Sequence, residues 1–518
     1  MSPLPPAGSS GFAAGGMLAC RARCGKLCSM IRTALLAVLL LCSTTPVLAD
    51  PAGDAAAYLH RIAALDDAGP QLNAVLATNP DAPAQARAAA ALPLAGRTVL
   101  VKDNIETREW PTTAGSLALA GNRTGRDAPL ITRLRGAGGV VLGKTNLSEW
   151  ANIRSSRSTS GWSATGGLVK NPHATDRNSC GSSSGSGAAV AAGLAWGAIG
   201  TETDGSITCP ASVNGIVGFK PTLGLVSRTH VVPISHSQDT AGPMTRSVAD
   251  AALLLTAIAG SDPADPATLE ADARKGDFTI GLADATLAGL RIGVLRSAVG
   301  NNAGVARLFD AALADLVRAG ARIVEIDRSP PEELGRDEFA TLLFELREDL
   351  GSYLAGSPAT IPVRSLVDVI AFNREHGAME LRWFGQETFE QAEAATDRAS
   401  YERARANALR LAGAEGIDRL LAEHGVTLLV APTAGPAWTT DLVNGDNYDG
   451  SVGAGSLAAV AGYPHLSVPM GMTERLPVGL SIIGPRWSDA AVLRAGAAYE
   501  RARTAVLTEP GLTPWQPD

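Results

Sequence analysis

Histidine is scarce in this 518-residue sequence, and its seven copies form none of the paired motifs that bind zinc. We therefore predict that the protein has no metal site. Internal repeats and long low-complexity linkers are also absent from the sequence. Charged residues make up only 18% of the chain and hydrophobic residues 46%, which excludes a wholly disordered protein and is enough for a large core.

Long apolar runs are almost absent as well, and the clearest one lies near the start of the chain. Ala34 to Cys42 is uninterrupted by polar residues, follows Arg32 and precedes Val47-Leu-Ala49. A cation, an apolar run and a small-x-small end are typical of a secretory signal, here cleaved after Ala49. The run is shorter than the roughly 20 apolar residues of a spanning helix, so a membrane anchor is the less favoured alternative.

The predicted signal peptide with its N-terminal extension occupies residues 1–49, and the predicted mature domain occupies residues 50–518. The sequence leaves Met1, Met17 and Met30 open as the start of translation. We expect the mature protein to be secreted or periplasmic. Removing residues 1–49 takes away four cations and no acid, so the formal net charge of −7 becomes more negative. An acidic protein repels phosphate backbones, and we therefore predict no nucleic-acid partner.

Few cysteines remain once the predicted signal is removed, namely Cys180 and Cys209 out of six. An oxidising compartment favours a disulfide between them. The alternative is that both are buried thiols that act as small hydrophobic side chains. The other four cysteines leave with the signal, so their spacing is no evidence for a metal site.

Strand and helix patterns alternate along the mature chain, which predicts one domain of the α/β class. The predicted strands span 97–101, 140–143, 291–295, 322–326, 427–431, 466–469 and 479–483, and the predicted helices span 54–67, 84–91, 131–135, 247–258, 305–318 and 489–501. The segment 331–423 is charged and mostly helical in pattern, and we interpret it as a helical cap or substrate-pocket region.

Two motifs match by letter but not by context. Gly138 to Thr145 satisfies the phosphate-loop pattern, yet Val140 to Leu142 inside it is itself the best strand candidate, so nucleotide binding is disfavoured. Gly181-Ser-Ser-Ser-Gly185 satisfies the nucleophile-elbow pattern of α/β-hydrolases, but the polar segment 170–180 before it does not read as the strand that the elbow requires.

Two serine- and glycine-rich stretches, Cys180 to Gly187 and Gly200 to Ile207, flank the uncharged apolar segment 188–199. Such composition usually indicates a flexible linker, but the apolar segment between them favours burial. Upstream, an apolar run ends on Lys102, which in isolation would be an ordinary solvated lysine. A lysine stripped of water can instead act as the base that a serine nucleophile needs. Together these residues predict a Ser-Ser-Lys hydrolase.

The chain resembles the amidase signature family over nearly its whole mature length. The matching stretches are 101–104, 112–116, 143–149, 180–187, 200–211, 215–222, 239–243, 461–464 and 476–479. Within that family the sequences around 180–186 and 202–207 are most similar to peptide amidases, which cleave C-terminal amides. The resemblance implies the amidase signature fold, a central mixed β-sheet flanked by helices.

The resemblance also implies the roles of the site residues. Ser206 would be the nucleophile, Ser182 the bridging serine and Lys102 the base, with Ser183 supporting the network. The backbone amides of Ser206 and of the three residues before it, Thr203, Asp204 and Gly205, would form the oxyanion hole. A cis peptide bond is expected between residues 181 and 182.

The sequence departs from the family where many members have Gly-Gly-Ser-Ile-Arg, because it has Asp204-Gly-Ser-Ile-Thr208. Asp204 would either accept hydrogen bonds from its loop or meet a polar group of the substrate. Glu345, Asp349 and Tyr353 share a predicted helix face, which is either a set of substrate contacts or an amphipathic surface.

We therefore expect hydrolysis of a carboxylic or peptide amide, including a C-terminal amide, through an acyl-enzyme and without a cofactor. The expected partner is a small-molecule or peptide amide, with no obligate protein partner and an open oligomeric state. The alternatives are an exported solute-binding protein without catalysis, another amidase-signature activity such as acyl amide hydrolysis, and an amidotransferase-type member that needs a partner chain.

Overall fold

Eleven strands form one large sheet in the part of the chain that the computed structural model describes, residues 50–448 and 450–517. Numbered with the strands of two small hairpins, the strands are β1 Val75–Thr78, β2 Thr98–Lys102, β3 Val140–Thr145, β4 Trp162–Ser163, β5 Gly167–Leu168, β6 Lys170–Asn171, β7 Ala174–Asn178, β8 Gly197–Glu202, β9 Val217–Lys220, β10 Thr240–Thr245, β11 Arg291–Leu295, β12 Arg322–Ile326, β13 Leu428–Pro432, β14 His465–Thr473 and β15 Leu476–Ile483.

The large sheet is mixed, with the order β1-β3-β2-β8-β10-β9-β14-β15-β13-β11-β12. The pairs β3–β2, β2–β8, β13–β11 and β11–β12 are parallel, and the other six are antiparallel. The predicted α/β class with a central mixed sheet is thereby confirmed. Strands β4 with β5 and β6 with β7 form the two small hairpins.

Helices cover both faces of the sheet. They are α1 Pro51–Leu65, α2 Ala82–Ala88, α3 Pro129–Gly136, α4 Ser184–Ala191, α5 Thr208–Val213, α6 Val248–Ile258, α7 Ala271–Arg274, α8 Ala303–Arg318, α9 Glu332–Gly356, α10 Leu366–Glu375, α11 Gly377–Glu380, α12 Glu387–Ala394, α13 Arg398–Ala412, α14 Asp418–His424, α15 Gly455–Ala461 and α16 Asp489–Ala502. Alternate residues of β2 show the two faces. Val99 and Val101 pack into one apolar core, and Leu100 packs into another together with α4.

The phosphate-loop match is a strand, as its apolar letters predict. Strand β3 extends through Lys144 and Thr145, and Lys144 Nζ lies 2.9 Å from the buried Asp103 Oδ1. A lysine held in a strand by a buried acid does not form a phosphate loop.

The segment before the nucleophile-elbow match differs from the expectation. The sequence predicts no strand there, whereas Ala174–Asn178 forms β7 of a small hairpin. The sequence does not indicate this strand because its side chains are polar. A two-stranded ribbon outside the large sheet needs no apolar run. The predicted burial of the segment 188–199 is observed, with α4 and the start of β8 in place of a linker.

Residues 332–424 contain six of the helices, α9 to α14, and no strand among these described residues. No helix in the described part of the chain combines the length and the apolar character needed to cross a membrane. The predicted signal peptide, residues 1–49, lies outside the described residues.

Candidate active site

Lys102 is the last residue of β2 and is completely buried. Its Nζ lies 2.7 Å from Ser182 Oγ, and it donates to the carbonyl and to Oγ1 of Thr201 at 3.2 and 2.8 Å. Burial lowers the pKa of Lys102 to about 7, although the charges of Asp239 and Glu202 act in the opposite direction. The amine is therefore substantially neutral near pH 7.

Ser182 lies in the turn between β7 and α4, and it is completely buried. The peptide bond between Gly181 and Ser182 is cis, as the family resemblance implies. Glycine is required at 181, because a Cβ there would lie 2.0 Å from Ser148 Oγ. The amide of Ser148 donates to the Ser182 carbonyl at 3.1 Å, so Ser148 holds the loop at both Gly181 and Ser182.

Ser206 lies between β8 and α5 and lines a cavity with only 8% of its surface exposed. The amide of Ser183 donates to the Ser206 carbonyl at 3.1 Å. This bond directly joins the loop that carries Ser182 and Ser183 to the loop that carries Ser206. Ser183 Oγ in turn donates to the Thr201 carbonyl at 3.0 Å, so Ser183 supports the strand residue that holds Lys102. The structure thus connects the Lys102, Ser182 and Ser183 side chains through Thr201 and brings the backbone of Ser206 against Ser183.

The backbone from Thr203 to Ser206 forms a loop whose amide groups are free. In the described part of the chain, none of these four amides donates a hydrogen bond to another protein group. Gly205 adopts a φ of 75°, a conformation that other residues rarely adopt, so the turn requires glycine. Unpaired amides beside a nucleophile can bind a developing oxyanion.

Glu202 stabilises the end of this loop. Its Oε2 accepts from the amides of Ile207 and Thr208 at 2.7 and 2.9 Å and from Thr208 Oγ1 at 3.2 Å. Thr208, where many family members have arginine, therefore binds the carboxylate of Glu202. The residue that departs from the family pattern therefore has its own hydrogen-bond partner in this chain.

Of the two expectations for Asp204, hydrogen bonds from its own loop to its side chain are not found among the described residues, and contact with a polar group of the substrate stays a prediction. Asp204 Oδ2 accepts from Ser456 Oγ of α15 at 2.7 Å, so the donor comes from outside its own loop. Its carboxyl group also lies close enough to Glu338 on α9 for its charge to raise the pKa of Glu338. Asp204 and Glu338 both line the cavity.

The cavity beside Ser206 has a volume of about 520 Å³. Its wall includes residues 203–206, here called the nucleophile loop, residues of α9, and Trp438 and Tyr448 from the chain before α15. This is the size of a small-molecule site. A peptide of a few residues or a small amide would fit into it.

Neither interpretation of Glu345, Asp349 and Tyr353 is correct. None of the three lines the cavity. Glu345 is completely buried and accepts from Tyr401 OH at 2.7 Å, and Tyr353 OH donates to Glu106 Oε1 at 2.9 Å. The helix face is therefore an internal polar contact that joins α9 to the rest of the domain. The cavity-lining residues of α9, Gly335, Glu338, Phe339 and Leu342, lie earlier in the helix.

One group of described residues has ligand atoms close enough together to hold a metal ion: His236, Glu345 and Asp349. These side chains already bind one another. His236 Nδ1 lies 2.9 Å from Asp349 Oδ2, and His236 Nε2 lies 3.2 Å from Glu345 Oε1. We interpret the group as an ion-paired contact rather than a metal site.

A disulfide joins Cys180 and Cys209, which is the first of the two alternatives. It connects the residue before Gly181 to the second residue of α5. Both cysteines line the cavity. The two serine loops are therefore tied covalently as well as by the hydrogen bond between Ser183 and Ser206.

Sequence reasoning missed three residues that support the site: Thr201, Glu202 and Asp239. Thr201 Oγ1 contacts both Lys102 and, at 2.9 Å, Asn104 Nδ2. Asp239 accepts from Thr203 Oγ1 at 2.5 Å. All three lie in stretches that match the family, 200–211 and 239–243, but the sequence alone does not indicate their roles.

A model of the amidase family matches residues 55–493 of the chain. The fold is similar to the crystal structure of native peptide amidase from Stenotrophomonas maltophilia, with 49% identity, a TM-score of 0.84, and coverage of 90% of this chain and 96% of that one. A probable amidase from Arabidopsis thaliana is 39% identical over 86% of this chain and 85% of its own length. A glutamyl-tRNA(Gln) amidotransferase subunit from Deinococcus radiodurans is 35% identical over 87% of this chain and 95% of its own length.

Proposed function

The chain belongs to the amidase family and is an amide-hydrolysing enzyme, and we propose that it cleaves a peptide or other carboxylic amide, including a C-terminal amide, through Lys102, Ser182 and Ser206. The identity to peptide amidase is higher than that to the amidotransferase subunit, which supports a single-chain hydrolase. Family membership also favours an enzyme over the solute-binding alternative.

The observation that carries this proposal is the 2.7 Å contact between Lys102 Nζ and Ser182 Oγ, both completely buried. A neutral Lys102 donates its two N–H groups to Thr201 and keeps a lone pair for the Ser182 proton. Ser182 Oγ can then accept the proton of Ser206. Ser206 Oγ becomes nucleophilic enough to attack an amide carbon.

The first half of the reaction breaks the C–N bond. As Ser206 Oγ bonds to the carbonyl carbon, the π electrons move to the carbonyl oxygen, which the amides of residues 203–206 stabilise. The C–N bond then breaks, and the leaving nitrogen takes a proton from Ser182, which recovers one from Lys102. Ammonia or an amine departs, and an acyl-enzyme ester on Ser206 remains.

The second half uses the same groups in the same order. Water gives a proton through Ser182 to Lys102 while its oxygen attacks the ester carbon. The tetrahedral intermediate collapses, Ser206 recovers the proton, and the carboxylic acid leaves. No group outside the protein and the substrate is needed for the proton balance.

Ammonia release from an amidated dipeptide tests the proposal. Wild-type protein should release ammonia without a partner chain, and Ser206→Ala should reduce the rate to background. Ser329→Ala is the matched control, because Ser329 is exposed and lies outside the cavity. Ammonia release that persists in Ser206→Ala would show that Ser206 is not the nucleophile. Turnover of a fatty amide but not of the dipeptide amide would favour the acyl amide alternative.

We also propose that the protein is exported, with residues 1–49 removed. The disulfide between Cys180 and Cys209 supports this, because disulfides form and persist in oxidising compartments. Expressed in a Gram-negative host, the chain should appear in the periplasmic fraction with Asp50 as its first residue. A chain lacking residues 1–49 is the control and should stay in the cytoplasm. Unprocessed protein in the membrane fraction would favour the anchored alternative.

A further inference from the structure

Two carboxyl side chains that the proposed reaction does not use, Asp204 and Glu338, line the cavity beside Ser206. They lie close enough for their charges to interact. Asp204 Oδ2 also accepts from Ser456 Oγ at 2.7 Å, and Glu338 Oε1 accepts from Gln238 Nε2 at 2.9 Å. Each carboxyl is therefore held at the cavity wall by a neutral donor.

The pair carries a negative charge at neutral pH. Burial raises the pKa of both carboxyls, and the charge of Asp204 raises that of Glu338 further. Because two like charges at close range are costly, the pair shares one proton and keeps one negative charge. Glu202 and Lys220 act on Asp204 from the buried side, and burial lowers the pKa of Lys220 to about 8.

The cavity wall offers this charge no counterion. Among the described residues that line the cavity there is no lysine, arginine or histidine. The third acid in the wall, Asp446, also accepts from neutral donors, the Ser160 amide and Trp438 Nε1 at 3.1 Å each. The pair differs from Asp446 in its position, because Asp204 is only two residues from Ser206.

We propose that the Asp204–Glu338 pair selects substrates whose acyl part carries a cationic group, an ammonium or a guanidinium. The inference rests on the amide hydrolysis proposed above. A charge withdrawn from water without a counterion is costly, and a substrate cation would provide the counterion when the substrate fills the cavity. An anionic acyl group would meet like charge. Phe339, Leu342 and Trp438 supply apolar wall for the rest of the substrate.

The test compares substrates of equal stem but different charge. Nα-acetyl-lysine amide carries a side-chain ammonium, Nα-acetyl-norleucine amide lacks it, and Nα-acetyl-glutamate amide is anionic. Unblocked norleucine amide carries the cation on the α-nitrogen instead. In the wild type, kcat/KM for at least one cationic amide should exceed that for acetyl-norleucine amide on the order of tenfold to a hundredfold. The glutamate compound should be the poorest.

The variants separate charge recognition from folding, since each preference is a ratio measured within one protein. Glu338→Gln should retain most of the preference, because Asp204 keeps its charge. The double variant Asp204→Asn with Glu338→Gln should abolish the preference, read as the ratio of kcat/KM for the cationic and neutral amides within that variant, whatever its absolute rate. Glu333→Gln is the matched control, because it removes an exposed acid from the same helix outside the cavity, and the preference should be unchanged.

Two outcomes would overturn the inference on substrate charge without rejecting the proposed function. One is equal kcat/KM for the cationic and neutral amides in the wild type. The other is a double variant that slows every substrate equally, which would make the pair a structural tie between α9 and the nucleophile loop. In both cases acetyl-norleucine amide would still be hydrolysed and Ser206→Ala would still be inactive. Loss of that Ser206 dependence would instead reject the proposed function.

Discussion

Lys102 is expected to set the pH dependence of amide hydrolysis. Only the neutral amine can accept a proton, and burial lowers its pKa to about 7. With a substrate that does not titrate, such as acetyl-norleucine amide, kcat/KM should fall as the pH decreases through 7 and reach a plateau above about 8. Initial rates of ammonia release between pH 5 and 9 measure this.

Asp239→Asn provides the control for that assignment. The charge of Asp239 raises the pKa of Lys102, so its removal should move the midpoint of the profile to lower pH. The loss of the bond from Thr203 is expected to lower the maximal rate as well. A profile that is flat between pH 5.5 and 9 would contradict the role of Lys102 as base.

Thr201 is predicted to position Lys102 rather than to touch the substrate. Its carbonyl and Oγ1 both accept from Lys102 Nζ, and it is nearly completely buried. Thr201→Val keeps the shape but removes the hydroxyl, so kcat should fall about tenfold to a hundredfold with KM little changed. Thr201→Ser restores a hydroxyl and should recover most of the loss. A change confined to KM would show contact with the substrate.

At the residue scale, the sequence predicts which side chains carry the chemistry but not what surrounds them. Lys102, Ser182 and Ser206 are identified through their motifs. The contact between Asp239 and Thr203 spans 36 positions and depends on β10 lying beside β8, which no local pattern encodes. The position of Glu338 in the cavity wall is likewise not encoded by any local pattern.

At the scale of single elements, local patterns predict strands with runs of large or β-branched apolar residues best. Strands β11 and β12 have the predicted bounds, 291–295 and 322–326. Strand β8, Gly197–Glu202, is not recognised from the sequence, because three of its six residues are glycine or alanine. A buried run of small residues cannot be distinguished from a buried loop by its letters.

The disulfide is expected to stabilise the two elements that carry the serines. It closes a loop with a sequence separation of 29 residues, for which the chain-entropy relation gives about 3 to 4 kcal/mol. Replacing Cys180 and Cys209 together by alanine should lower the free energy of unfolding by about that amount, as measured by urea denaturation. Dithiothreitol should lower the stability of the wild type similarly and leave the double variant unchanged. Equal stability of the two proteins would contradict the expected contribution.

At the scale of the whole molecule, the site depends on the order of the strands. Parallel pairing of β2 with β8 brings the ends of both strands together, so Lys102 meets Thr201. The sequence predicts a mixed sheet through the family resemblance. The order of the eleven strands depends on which elements cover the two apolar faces of the sheet and on how the connections between strands cross. Prediction of one segment at a time does not provide this order.

The helical region between residues 332 and 424 should contribute to the choice of substrate size. Phe339 lies on α9, lines the cavity and is 41% exposed, so it can be truncated without opening the core. Phe339→Ala removes apolar surface that a long acyl group would cover, worth roughly 1 kcal/mol or about fivefold in kcat/KM. Small amides such as acetyl-alanine amide do not reach it and should react at the wild-type rate.

Val367→Ala is the matched control for that variant. Val367 is an exposed apolar residue of α10 that does not line the cavity, so its truncation should leave both long and short substrates unaffected. The measurement is kcat/KM over a series of amides with increasing apolar acyl length. If Phe339→Ala slowed long and short amides by the same factor, its effect would be on folding or on the nucleophile loop. Other residues of the cavity wall, such as Trp438, would then be the next to test for an effect on substrate size.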